Sequence, residues 1–158
     1  MKKLLILDLD ETLIHSTYID LKLNQTPHKY KFFYIYQRPF LEEFLESVSL
    51  HFDLAIWSAS KADYVKEIIN NTALSNYKFH FVYTRAKCKR IYSKGGTIRY
   101  LKKLELIPYF GSYQKIVFLD DYPEMVVPIE KCILVKEFRG SEFDDELVML
   151  RHLLLNNY

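Results

Sequence analysis

The chain has 158 residues, enough for one domain with its own core, and 49% of them are apolar and 27% charged, the balance of a globular protein. A net charge of +2 is too small to demand a nucleic-acid or membrane partner by itself, and no apolar run approaches the length of a membrane span. Met1-Lys2-Lys3 leads straight into a short apolar run followed by acids, so no signal peptide is expected.

In chain order, 3–7 is a short apolar run that reads as a buried strand. Residues 29–38, "KYKFFYIYQR", are aromatic and β-prone, one arm of a hairpin. Pro39 opens a helix to about Leu50, with Phe40, Leu41, Phe44, Leu45 and Val48 on one face. Residues 52–57 form the next strand, and a helix runs from Ser60 or Lys61 to about Asn71. Residues 79–83 form a third strand, and Thr97 caps a helix to about Leu106. Strands follow at 115–119 and 132–135, and 144–156 is a final helix with three acids in its first turn. Cys88 and Cys132 have no metal-ligand spacing and read as reduced, in keeping with a cytosolic protein or, in a eukaryote, a nuclear one.

With no linker and no repeat, this rhythm predicts one α/β domain over 1–158 with a parallel sheet covered on both faces. Ligands of such sheets sit beyond the carboxyl ends of the strands. There the sequence places Asp8 and Asp10 after the first strand, Ser58 after the second, and Asp120 and Asp121 after the fourth. Two like charges 4 Å apart cost about 4 kcal/mol at an effective dielectric near 20, so four carboxylates at one edge call for a cation. All-oxygen ligands favour a hard ion, most simply Mg²⁺, which keeps waters and recruits phosphate. An ionised Asp can attack phosphorus, and a second can act as general acid. Thr12 and Ser58 offer hydroxyls to phosphate oxygens, and Lys102 or Lys103 offers the balancing cation.

These residues resemble a family. "DLDETL" has the form DxDxT, the nucleophile motif of the haloacid-dehalogenase (HAD) superfamily phosphatases. "AIWSAS" is similar to its second motif, and "IVFLDDYP" to its fourth. "DLDETLIHS", "QRPFLEEFL", "YLKKL" and "LDDYPE" resemble more narrowly the carboxyl-terminal-domain (CTD) phosphatase branch, over roughly 3–155. The resemblance implies a HAD-like Rossmannoid three-layer fold and Mg²⁺-dependent hydrolysis of a phosphomonoester, with phosphoserine or phosphothreonine of a protein as substrate. It implies Asp8 as nucleophile and metal ligand, and Asp10 as general acid/base and, through its carbonyl, a metal ligand. Thr12 and Ser58 match phosphate-orienting hydroxyls, Lys102 the phosphate-binding lysine with Lys103 as fallback, Asp121 a metal ligand and Asp120 its neighbour. The chain departs from that branch at 13–38, 89–99 and 107–114, which bears on peptide selection more than on catalysis.

Residues 13–38 leave room for a hairpin at most, so no substantial cap is expected, and an open site suits a macromolecular substrate. Arg85, Lys87, Lys89, Arg90 and Lys94 form a basic stretch, either a solvated loop or a docking surface for an acidic phosphopeptide or a nucleic acid. A nucleic-acid end phosphatase and a catalytically inactive binding module are the competing functions. The aromatics of 30–36 form a substrate flap or pack on their own domain, and "SKGG" at 93–96 reads as a turn. Glu11 takes no part in the chemistry.

Overall fold

The computed structural model describes residues 2–93, 95–107 and 110–158. In chain order its elements are β1 (Lys3–Leu7), β2 (Ile14–Thr17), β3 (His28–Tyr30), β4 (Phe33–Gln37), α1 (Leu41–Ser49), β5 (Asp53–Trp57) and α2 (Ala62–Asn70). Then come β6 (Val82–Tyr83), β7 (Lys89–Tyr92), β8 (Ile98–Lys103), β9 (Lys115–Asp120), β10 (Val126–Val127), β11 (Cys132–Leu134) and α3 (Glu146–Asn157). No helix among the described residues is long and apolar enough to cross a membrane.

The central sheet has the order β11-β9-β1-β5-β6, and every pairing in it is parallel. β1 is "KLLIL", and its four apolar residues are fully buried, as a strand covered on both faces must be. The two-residue period of a strand divides them. Leu5 and Leu7 pack with Phe44, Leu45, Val65, Ile68 and Leu150 beneath the three helices. Leu4 and Ile6 pack on the other side with Ala55, Trp57, Leu104, Phe118 and Val126. Because the strands run the same way, their carboxyl ends share one edge. The register sets Leu7 against Ile56 and Leu119, so the residues that follow β1, β5 and β9 emerge side by side.

The second face differs from expectation. The helix expected over 97–106 is absent: β8 occupies 98–103 and a 3₁₀ turn follows over Leu104–Leu106. "IRYLKK" pairs antiparallel with "KRIY" of β7, because β-branched and aromatic residues alternating with cations suit a pleated strand better than a helix. Thr97 caps no helix; its carbonyl accepts from the Ser93 N–H at 3.0 Å and closes the β7–β8 turn. A small sheet of order β10-β8-β7 therefore covers the face where a helix was expected.

The insertion after β1 is also richer than a single hairpin. Lys31 takes a left-handed conformation with φ 54° and folds 29–38 back on itself into β3 and β4, and β2 completes a three-stranded antiparallel sheet. Helix α1 begins after Phe40, whose side chain is exposed rather than part of the core face. The third strand shortens to Val82–Tyr83. Helix α3 starts at Glu146, and Asp144, expected in its first turn, is drawn to Arg38 instead.

Candidate active site

The chain leaves β1 at Asp8 and turns at once. Leu9 and Leu13 are fully buried anchors, and the Leu13 N–H donates to the Leu9 carbonyl at 2.8 Å. Glu11 takes the left-handed conformation, φ 62°, that the turn needs, and its carboxylate faces away, accepting from His15 Nδ1 at 2.9 Å with Arg139 at 3.7 Å. Two anchored leucines thus hold Asp8 and Asp10 at the head of the sheet.

Their surroundings differ. Asp8 is buried, and Lys102 Nζ lies 2.5 Å from its Oδ1 and 2.7 Å from Asp120 Oδ2. Asp8 and Asp120 follow the paired Leu7 and Leu119, and the Asp8 N–H donates to the Leu119 carbonyl at 3.0 Å. Asp10 instead accepts from Tyr64 Oη at 2.5 Å and from Ser60 Oγ at 2.8 Å. Lys102 arrives from β8, not from a helix. It is itself 3% exposed, whereas Lys103 points outward to Glu105 at 2.7 Å. The strand's alternation makes Lys102 the residue at the site and removes Lys103 from it.

Asp8, Asp120 and Asp121 each present a carboxylate oxygen, and these oxygens lie within 4.8 Å of one another. Burial pushes the Asp8 carboxyl well up from its ordinary value; Lys102 opposes this, and Asp120 and Asp10 add to it. Burial and the charge of Asp120 push Asp121 up to about 6, against its own backbone N–H and Lys102. Burial works against the Lys102 ammonium, but Asp8 and Asp120 outweigh it and raise its pKa. One ammonium does not neutralise this cluster, and a divalent ion with oxygen preference fits the donor set.

Thr12 and Ser58 are brought to the same edge, both buried. Thr12 Oγ1 accepts from the Asp121 N–H at 3.2 Å and lies 3.4 Å from Asp121 Oδ1, so it orients that carboxylate. Ser58 Oγ accepts from the Ser60 N–H at 3.0 Å. Asp120 Oδ1 accepts from the Tyr122 N–H at 2.8 Å.

A cavity of about 340 Å³ opens over Asp8, Asp10, Lys102, Asp120 and Asp121. Its walls include side chains to which the sequence reading gave no place in the site: Ser60, Arg85, Arg99, Tyr100 and Tyr122. Arg85 lies with its guanidinium 4.8 Å over the Tyr100 ring, and its Nε donates to the Ala59 carbonyl at 2.7 Å. Tyr64 stands in the first turn of α2 and Ser60 in the loop just before it, with an extended Lys61 between them, so the two donors converge on Asp10 from a helix and its leading loop. Lys94 of the basic stretch lies outside the described residues.

The chain is similar to known proteins along almost its whole length. The family model described as NLI interacting factor-like phosphatase matches residues 3–157. A CTD small phosphatase-like protein 2 of Dictyostelium discoideum is 31% identical over 157 residues, covering 92% of this chain and 26% of the relative. A CTD small phosphatase-like protein of Homo sapiens is 23% identical over 184 residues, covering 98% of this chain and 62% of the relative. The solved structure of Fcp1, an essential RNA polymerase II CTD phosphatase, has the same fold, with a TM-score of 0.62 and 21% identity over 94% of this chain and 48% of that one. The chain therefore spans about a quarter to three fifths of the length of these relatives. With paired acids ending β1 and β9, a serine ending β5, and a match across nearly its whole length, this chain belongs to the NLI interacting factor-like phosphatase family, a HAD-type branch.

Proposed function

We propose that this chain hydrolyses phosphoserine or phosphothreonine in a protein, through an aspartyl-phosphate on Asp8 and with Mg²⁺ as cofactor. The observation that carries the proposal is the contrast between two carboxylates two residues apart. Asp8 sits on Lys102 beside two more acids, Asp10 sits on Tyr64 and Ser60, and both line one cavity.

The Asp8 carboxylate attacks phosphorus, and the bond from phosphorus to the seryl or threonyl oxygen breaks as that oxygen takes a proton from Asp10. Asp10 then removes a proton from water, the water oxygen attacks phosphorus, and Asp8 leaves as a carboxylate. Asp8, Asp121, Asp120 and the Asp10 carbonyl would hold Mg²⁺, which supplies charge neutralisation and polarises the phosphoryl oxygens. Lys102 fixes one oxygen of Asp8 and faces the charge that develops on the transferring group. Ser58 accepts from the Ser60 N–H and keeps its own O–H to donate to a phosphoryl oxygen. Tyr64 and Ser60 hold Asp10 on the leaving-group side.

The insertion at 14–37 is a three-stranded sheet beside the site, and an open cavity of about 340 Å³ has room for a whole phosphorylated side chain with its backbone across the mouth. A phosphorylated chain segment suits such an opening, and the family relatives named as CTD phosphatases point to protein substrates. Asp8→Asn abolishes Mg²⁺-dependent turnover of a generic phosphomonoester, and substantial surviving activity would overturn the nucleophile assignment. Comparing phosphopeptides, phosphorylated oligonucleotides and sugar phosphates as substrates decides the class. Mg²⁺ binding with no turnover of any of them makes the chain a binding module.

A further inference from the structure

Charge is divided unevenly along this chain. Residues 82–107 carry eight of its 22 basic residues and one of its 20 acidic ones, a formal +7, while the remainder sums to −5. The strands β7 and β8 bring much of that charge beside the catalytic cavity.

Arg90 is the register partner of Tyr100, and Tyr92 that of Ile98, so these four side chains share a face of the hairpin with Lys102. Tyr100 lines the cavity. The face therefore runs without a break from the site outward to Tyr92 and Ile98, which are 62% and 44% exposed. From Lys102 to Ile98 it extends about 13 Å, the reach of about four residues of extended peptide.

Two of the arm's exposed cations, Arg90 and Lys87, lie on aromatic rings rather than on acids. The Arg90 guanidinium lies 5.1 Å over the Tyr92 ring and donates to its Oη, and Lys87 Nζ lies 5.5 Å over Tyr83. Among the described residues Lys87, Lys89 and Arg90 make no ion pair, in contrast to Lys103 at the end of β8 and to Lys22 and Lys31 elsewhere. With one N–H of Arg90 given to the Tyr92 hydroxyl, its other N–H groups are left for the oxygens of carboxylate or phosphate. The same stacking covers one face of Tyr83 and of Tyr92 with the chain's own cations. Stacking of nucleobases on these rings is correspondingly disfavoured.

We propose that the β7–β8 arm docks a substrate peptide that carries a second phosphate or a cluster of carboxylates three to four residues from the phosphorylated residue. The proposal rests on the phosphatase reading above. The arm selects substrates that are already multiply charged and adds nothing to the chemical step. A segment phosphorylated at two nearby sites is the ligand that its charge and reach fit.

The test is the variant Lys87→Gln/Lys89→Gln/Arg90→Gln, which removes three exposed charges of the arm outside the cavity lining, that of Lys89 from the strand face opposite Arg90. With a phosphoserine peptide bearing a second phosphate four residues away, its kcat/KM falls about tenfold, through KM, because several exposed charge contacts are lost together. With a small phosphomonoester, or a peptide lacking flanking acids, it matches the parent chain. The parent's preference for the doubly charged peptide fades with added salt. Fluorescence anisotropy of the same peptide on Asp8→Asn, with and without the three substitutions, reads docking with no turnover. Equal losses on every substrate, no preference in the parent chain, or a loss confined to oligonucleotides each overturn the proposal. If the peptide binds and the three substitutions weaken it while no phosphomonoester is hydrolysed, docking stands and the reaction assigned to Asp8 falls.

Discussion

Lys102 is a single ammonium between two buried carboxylates, 2.5 Å from Asp8 and 2.7 Å from Asp120. That geometry explains why a cluster of acids is tolerable at the end of a buried strand, and why it remains short of positive charge. The consequence for pH follows from Asp121, whose carboxyl rises from the ordinary 3.8 to about 6 on folding, chiefly through burial. The folded chain holds that proton more tightly than the unfolded one. Without metal, the stability this carboxyl contributes is therefore fully present below the ordinary carboxylate range and is lost as pH rises through about 6. Asp8, also raised, acts in the same direction. Added Mg²⁺ relieves the repulsion only once the carboxylates are ionised. The Mg²⁺-induced rise in Tm is accordingly larger at about pH 7.5 than at about pH 5. Thermal melts with and without Mg²⁺ check this, and an equal rise at both values removes Asp121 from the metal site. Tyr64 acts at the same scale. Its Oη donates to Asp10 at 2.5 Å, so Tyr64→Phe lets that carboxylate turn. The expected effect is a fall in kcat of about tenfold with KM little changed, because misplacing a catalytic group costs rate rather than binding.

Among elements, Arg38, just before α1, ties distant segments together. Its side chain is fully buried. It bonds Asp144 with Nε at 2.6 Å and Nη2 at 2.8 Å, the Thr12 carbonyl at 2.9 Å and the Lys136 carbonyl at 2.7 Å. The Phe138 ring lies 5.3 Å beneath its guanidinium. The turn carrying Asp8 and Asp10 is thus pinned from behind to the segment that leads into α3. Arg38→Leu leaves Asp144 buried without its partner and destabilises the fold by about 3–5 kcal/mol. Urea denaturation measures it, and a loss near zero means that the pair does not hold the turn. A lysine is a poor replacement because it lacks the planar fork. β8 teaches a second lesson about elements. Residues 97–106 suggest a basic helix when read alone, yet they pair with β7, because hydrogen bonding to a neighbouring strand overrides a weak local preference. Only the strand's period of two separates Lys102 from Lys103.

Across the whole molecule, the parallel sheet organises function by direction. Three strands with the same polarity deliver Asp8, Ser58 and Asp120 to one edge, the helices fill one side, and the basic arm flanks the opening. The docking preference belongs to this scale, since it depends on a face of β7 and β8 that continues the wall of the cavity.

The sequence by itself determined the strands of the central sheet, the edge at which the site lies, and the acids and Ser58 delivered there. Those follow from apolar runs ending in reactive residues, a pattern written along the chain. Tertiary structure alone decided that β8 is a strand, that Lys102 and not Lys103 reaches Asp8, that Tyr64 and Ser60 hold Asp10, and that Arg38 braces the turn. β8 depends on a strand 6 to 12 residues away, and the others on partners farther still, from 50 residues between Asp10 and Ser60 to 106 between Arg38 and Asp144. Local periodicity carries no record of which side chains meet across such separations.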